Sequence, residues 1–296
     1  MELLVTGGSG IVGWDLVRRA SNAGYDVTYT RYSTEPSADV DTSTESHYLD
    51  VRDDDRVRDL VNDLKPDIIV HAAAMTNVDE CERDPERATA INVRGTEHVL
   101  AAAEAVDARL VFFSTGFVFD GNGDSFVEDS PRNAVNHYGE TKIRGEDLIL
   151  DSTVDSTICR IDQPYCWSAS WQTPSFVEWV LNRLDSRDSF QVFSDWYNTP
   201  VYVPDCNEAV LRLLKDGHTG TFHVTGSQYT SRYDWAVKIA ETFGYAPDIV
   251  KTGCSDDVDL PADRPNNHLS NEKIREEAGI AFRTLEVGAQ EMLNKQ

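Results

Sequence analysis

With 296 residues, 40% of them hydrophobic, the chain is long enough to bury a sizeable core in one large domain, or in a large domain with a smaller one. No apolar run approaches the roughly 20 residues that cross a bilayer, the opening MELLVTGGSG lacks a basic leader, and five cysteines without a CxxC pair argue against a disulfide framework or zinc site, so a cytoplasmic protein with free thiols, no metal and no membrane contact is expected. The net charge of −24, from 51 acidic against 27 basic residues, removes the cationic footprint a nucleic acid would need.

In chain order, the first half alternates short β-branched runs with amphipathic stretches, the pattern of a parallel sheet covered by helices on both faces. Strand one is expected over residues 2–5, a helix over 11–23 stopped by Gly24, and strand two over 26–30. Further strands are expected at 47–49, 67–71 and 109–113, separated by helices near 54–64 and 85–105. Asp84 as N-cap and Pro85 at the first helical position mark the start of the second of these helices. A loop rich in Gly, Asp and Ser follows over 115–135, then a helix near 136–150 and a strand near 157–161. Beyond Ile161 the alternation weakens, although residues 221–225 read as a strand returning to the sheet. The segments 164–176, 195–205 and 261–268, rich in aromatics, Pro and Asn, read as loops lining a ligand cleft rather than as a second core. The expected fold class is α/β, a doubly wound parallel sheet with a smaller C-terminal substrate-binding part. Residues 1–161 would form the dinucleotide-binding domain, with 190–225 returning to it, and 162–189 with 226–296 the substrate-binding part.

Thr6-Gly7-Gly8-Ser9-Gly10-Ile11-Val12-Gly13 lies between the first strand and the first helix. Gly7 permits a tight turn, Gly10 lets the backbone approach a pyrophosphate, and Gly13 lets helix and strand pack closely, while the helix N-terminus faces the negative charge. Ile11 and Val12, at the helix start, complete this cofactor-binding group. Strand two ends Tyr29-Thr30-Arg31-Tyr32-Ser33, without the acidic residue that would bond a ribose 2′-hydroxyl. Arg31 can instead pair with a 2′-phosphate, so NADPH is expected, with NADH left open.

Tyr138 and Lys142 stand at i and i+4, one turn apart on one helix face. A neighbouring cation lowers the pKa of a phenol, so the pair suits proton exchange with a sugar oxygen, with Lys142 also holding the nicotinamide ribose. Thr115, at the carboxyl end of a central strand, is placed to polarise a substrate carbonyl.

The GxxGxxG spacing resembles that of the extended short-chain dehydrogenase/reductase family. Asp50-Val51 looks like that family's adenine contact, and His71-Ala72-Ala73-Ala74 like its strand-four motif beside the cofactor. Within it, Ser114-Thr115-Gly116-Phe117-Val118-Phe119-Asp120-Gly121 resembles the STDYVFDG segment of dTDP-4-dehydrorhamnose reductases. Thr76-Asn77-Val78-Asp79, Gly145-Glu146, Gly220-Thr221-Phe222-His223 and Arg264-Pro265-Asn266-Asn267 extend the likeness along the chain. The resemblance implies hydride transfer from NAD(P)H to the C4 ketone of a nucleotide-activated 6-deoxysugar. Tyr138 would give the proton, with Thr115 and Lys142 assisting, and Thr76, Val78, Phe117, Gln163 and Arg264 would contact the substrate. Gly116 and Phe117 replace an Asp and a Tyr of the family segment, and Gln163 stands where a sugar-stacking tryptophan is expected, leaving Trp167 or Trp171 to take over. Those departures leave two alternatives open, a C4 epimerase that retains its cofactor and a non-catalytic dinucleotide-binding regulatory subunit.

The charge bears on substrate and habitat. An anionic sugar nucleotide must approach an acidic protein, so Arg160 or Arg264 is expected to anchor its diphosphate. With 32 Asp and only 7 Lys, the composition points to a salt-loaded, halophilic cytoplasm, beside the plainer reading of a soluble acidic surface. A homodimer is left open.

Overall fold

The computed structural model describes residues 1–32, 36 and 44–296. The strands are β1 (Glu2–Thr6), β2 (Asp26–Arg31), β3 (Glu45–Tyr48), β4 (Ile68–His71), β5 (Arg109–Thr115), β6 (Ser156–Ile161), β7 (Phe190–Phe193), β8 (Tyr197–Asn198), β9 (Gly220–His223), β10 (Thr230–Ser231) and β11 (Val250–Gly253). Seven of them form one parallel sheet in the order β3-β2-β1-β4-β5-β6-β9. The strand order runs outward from β1 in one direction and from β4 in the other, so a crevice opens at their carboxyl ends, where ligands of doubly wound sheets bind. The central strands are near-continuous apolar runs because both sheet faces are covered.

The helices are α1 (Ile11–Asn22), α2 (Asp54–Leu64), α3 (Val78–Arg83), α4 (Pro85–Thr89), α5 (Gly95–Ala105), α6 (His137–Leu150), α7 (Phe176–Ser186), α8 (Val203–Asp216), α9 (Arg232–Thr242), α10 (Glu272–Ala278) and α11 (Leu285–Leu293). On one sheet face Leu3, Val5 and Phe222 pack against Leu16 and Val17 of α1 and Val210 and Leu213 of α8. On the other face Leu4, Ile69 and Phe112 pack against Val57 and Val61 of α2, Val99 of α5 and Ile149 of α6. Among the described residues no helix is long and apolar enough to cross a membrane.

The expected helix over 85–105 is interrupted: a π-helical turn, Ala90–Arg94, joins α4 to α5. Such bulges are frequent at functional sites, and this one carries the buried Asn92, which bonds the cleft-lining Met75. Asp84 caps α4 as expected, its side chain accepting from Arg87 N at 3.1 Å. The third strand begins at Glu45, two residues earlier than expected. Ser33, in the segment that follows the expected strand two, lies outside the described residues.

A correction concerns the aromatic segments. Rather than only lining a cleft, they contribute to a second core, in which Tyr165 and the partly buried Cys166, Trp167 and Phe176 pack with Val177 and Val180 of α7, Trp235 and Ile239 of α9, and Leu285 and Met292 of α11. The amphipathic spacing of Val177, Val180, Leu181 and Leu184, started by a capping box of Ser175 with Glu178, makes α7 a helix despite the loop-like composition before it. The stretch 190–225 divides. Phe190–Phe193 pairs with β11 in a separate two-stranded sheet, whereas β9 joins the main sheet and α8 packs on it.

Candidate active site

The crevice at the strand ends is a cleft of about 820 Å³, lined along its length by the glycine turn, the ends of β2, β4 and β5, the start of α6 and residues that follow β6 in the chain. Gly7, Gly10, Ile11, Val12 and Gly13 line one section. Gly7 has φ +68°, and a Cβ there would stand 2.7 Å from the Ala73 backbone. A Cβ on Gly13 would stand 2.5 Å from the Gly7 carbonyl oxygen, so the helix can close on the turn only without a side chain. Helix α1 starts at Gly10 with no side-chain cap and no acidic residue in its first turn. Its free amides and positive end therefore suit a pyrophosphate. Trp171 and Gln172, from the segment before α7, reach the turn, each donating to the Ser9 carbonyl, at 3.2 and 2.9 Å.

Next to the turn lie Arg31 and, from the segment after β3, Asp50 and Val51. Arg52, which sequence reading missed, also lines this end. It donates to Asp50 through Nε at 2.9 Å and Nη2 at 2.6 Å, and to the Tyr32 hydroxyl at 2.9 Å. Those bonds hold the Asp50 carboxyl below its ordinary range. Ala72, Ala73 and Ala74 carry the backbone past the turn, and His71 ties β4 to β1, its Nδ1 lying 2.7 Å from Thr6 Oγ1.

At the far end Thr115, Phe117, Tyr138 and Lys142 come together in the same cleft. Asn136 caps α6, accepting from Gly139 N at 2.9 Å, and places Tyr138 in the first turn, its ring meeting Phe117 edge-on at 5.8 Å between centroids. A side chain on Gly139 would overlap the Phe117 carbonyl, so this glycine lets α6 approach the turn after Thr115. Burial pushes the Tyr138 phenol up, and the adjoining Thr115 side chain acts in the opposite sense. Lys142 was expected to lower the phenol's pKa. Burial outweighs any such effect, and it pulls Lys142 itself down to about 7. The Lys142 ammonium lies 3.9 Å from the centroid of the Phe112 ring, with the Glu146 charge favouring protonation. Asn92 clamps the site from the π-helical turn: Oδ1 accepts from Met75 N at 2.8 Å, and Nδ2 donates to Met75 O and Thr141 Oγ1, both at 3.0 Å.

Thr76, Val78, Gln163 and Arg264 complete the wall. Gln163 has φ +40°, a conformation costly for a residue with a side chain. Arg264 pairs with Asp79 at 2.6 Å while lining the cleft. Arg160 does not: it is buried, bound to Glu146 through Nε at 2.9 Å and Nη2 at 2.8 Å, and does not line the cleft. Its expected diphosphate role gives way to a structural ion pair, because the Arg160 and Glu146 side chains lie in the interior behind Ser114. Neither tryptophan suggested for stacking stands at the reacting end. Trp167 donates to the Met292 carbonyl in the second core, and Trp171 covers the glycine turn.

A family model described as the RmlD substrate binding domain matches residues 1–296. The chain is 31% identical over 291 residues to the probable low-salt glycan biosynthesis reductase Agl14 of Haloferax volcanii, covering 97% of this chain and 95% of that protein. It is 29% identical over 307 residues to the dTDP-4-dehydrorhamnose reductase of Escherichia coli, covering 100% and 98%. The solved dTDP-4-dehydrorhamnose reductase of Bacillus anthracis in complex with NADP, 24% identical, superposes with a TM-score of 0.88 over 100% of this chain and 99% of that one, which shows the shared fold. With a glycine turn, an α/β sheet and a family match from end to end, this chain belongs to the RmlD substrate binding domain family.

Proposed function

We propose that the protein is an NADPH-dependent reductase of a nucleotide-activated 4-keto-6-deoxysugar. The observation that carries this reading is the meeting of Thr115, Tyr138 and Lys142 in one cleft with an uncapped, glycine-lined helix N-terminus. The residues present fit the cofactor: Gly7 and Gly13 let the turn and α1 close tightly, the uncapped α1 N-terminus at Gly10 faces the cleft for a pyrophosphate, and Arg31 stands at the end of β2 for a 2′-phosphate. NADPH, when bound, supplies the hydride. The names of the Escherichia coli and Bacillus anthracis relatives, and the NADP in the latter's complex, support the same reading.

Tyr138 acts as the acid. Its burial keeps the phenol protonated at neutral pH, so a proton is at hand for the substrate oxygen as negative charge develops there. Thr115 polarises that carbonyl from the adjoining strand end. Lys142, held near its titration point, orients the nicotinamide ribose and supports Tyr138. Residues 1–161 with α8 and β9 carry the dinucleotide, and the smaller part closes over the sugar.

The test is NADPH consumption by purified protein with a panel of dTDP-linked 4-keto-6-deoxysugars, against a Tyr138→Phe control. Turnover abolished by the substitution supports the reading. Turnover no higher than that of the control replaces it with a non-catalytic binding protein, and cofactor retained through purification and recycled without net consumption replaces it with an epimerase.

A further inference from the structure

The reacting end of the cleft holds a tryptophan that sequence reading did not single out. Trp196 lies between β7 and β8, and its half-buried ring both lines the cleft and packs against the cluster of Met75, Phe117 and Tyr138. Of the chain's other five tryptophans, Trp171 also lines the cleft, but at the glycine turn. Trp14 packs beneath the glycine turn and Trp171 over it, Trp167 and Trp235 pack in the second core, and Trp179 stands exposed on α7.

The Trp196 indole is held before any ligand arrives. Its Nε1 donates to the Pro265 carbonyl at 3.3 Å, and its own carbonyl accepts from Arg232 N at 3.0 Å. The Arg232 guanidinium lies 4.2 Å from the ring centroid, and it is 5% exposed, seated also on Phe176 at 4.5 Å and Trp235 at 5.5 Å. Among the described residues the Arg232 side chain donates no hydrogen bond and its Nε is buried without a partner, so aromatic faces hold it, helped by the nearby Asp162, whose carboxyl is pushed by burial up to about 7. A buried cation over an indole is a strong contact, and it closes that side of the ring to ligand. Arg264, 5.7 Å from the same ring and paired with Asp79, supplies a polar rim, and Gln163 adds a second polar group in the same cleft.

We propose that Trp196 is the aromatic wall of the sugar subsite, packing against the apolar C–H face of a pyranose ring whose polar groups meet Gln163 and Arg264. This rests on the reading under Proposed function and deepens it. An indole already fixed in place loses no rotamer freedom on binding, so its contact is realised almost fully as affinity for the sugar.

The experiment compares dTDP-rhamnose with dTDP as ligands of the NADPH-loaded protein by calorimetry, in the wild type and in Trp196→Ala, Trp196→Leu and Trp196→Phe. In Trp196→Ala we expect the affinity gained from the sugar to fall by about tenfold, the dTDP affinity to stay within about twofold, and Trp196→Phe to recover part of the loss. A matching rise in KM for the keto sugar, with NADPH affinity unchanged, is the kinetic counterpart. If Trp196→Ala does not fold, Trp196→Leu, which fills the space without a π face, carries the same expectation. A sugar-dependent gain undiminished in Trp196→Ala or Trp196→Leu overturns the assignment alone. A wild type that neither prefers dTDP-rhamnose to dTDP nor reduces any keto sugar overturns the substrate reading, and the assignment falls with it.

Discussion

Glu146 offers the sharpest test of how the site is supported. Its side chain is fully buried and accepts from Arg160 at 2.9 and 2.8 Å, from Ser114 at 2.5 Å and from Arg132 at 3.1 Å. Glu146→Gln removes the charge and leaves the Arg160 guanidinium, itself 2% exposed, without its counter-ion. Breaking a buried pair from one side costs about 3–5 kcal/mol, because the remaining charge stays desolvated. For a chain of 296 residues that corresponds to a melting midpoint lowered by roughly 5–8 °C. Asp147→Asn is the control: Asp147 pairs with the same Arg132 at 2.6 Å but is 49% exposed, and it should cost no more than about 1 kcal/mol. Differential scanning calorimetry in fixed salt measures both. The two variants melting together within about 2 °C would refute the argument, since burial would then add nothing to the pair. The same substitution withdraws the negative charge that favours protonated Lys142. Lys142 then titrates below its present value of about 7, and a kcat–pH limb that follows this group moves to lower pH.

Burial pulls both His71 and His223 down to about 3, whereas in the unfolded chain such rings titrate near their ordinary value. Above about pH 6.5 both states hold the rings neutral; as the pH falls the unfolded chain takes up protons that the folded one refuses, costing about 2 kcal/mol per ring at pH 5. A His71→Asn, His223→Gln double variant should flatten the fall in melting midpoint between pH 6.5 and 5, and an unchanged slope would reject the neutral, buried assignment. Arg31→Ala should raise the KM for NADPH about tenfold or more while sparing NADH, and an unaltered preference would remove Arg31 from the 2′-phosphate site. With a net charge of −24, the melting midpoint should climb through a potassium chloride series as repulsion among carboxylates is screened, and a flat response would sink the halophilic reading.

What the sequence determined by itself was local. The glycine turn shows as a glycine pattern between a strand and a helix, and Tyr138 and Lys142 as a spacing of four on one helix, because both depend on backbone geometry within a few residues. The alternating first half likewise declares a parallel sheet. The sequence reading missed what rests on contacts between distant segments. Arg160 looks like an anion ligand until Glu146 is seen beside it, Trp196 has no motif around it, and Asn92 bridges Met75 and Thr141 only because a π-helical turn aims it there. The smaller core was hidden because aromatic and Pro-rich composition describes loops and the starts of helices alike. The proton chemistry was decided last of all. Sequence spacing says that a lysine stands near the tyrosine, but burial, a property of the whole fold, sets the direction in which each group's pKa moves.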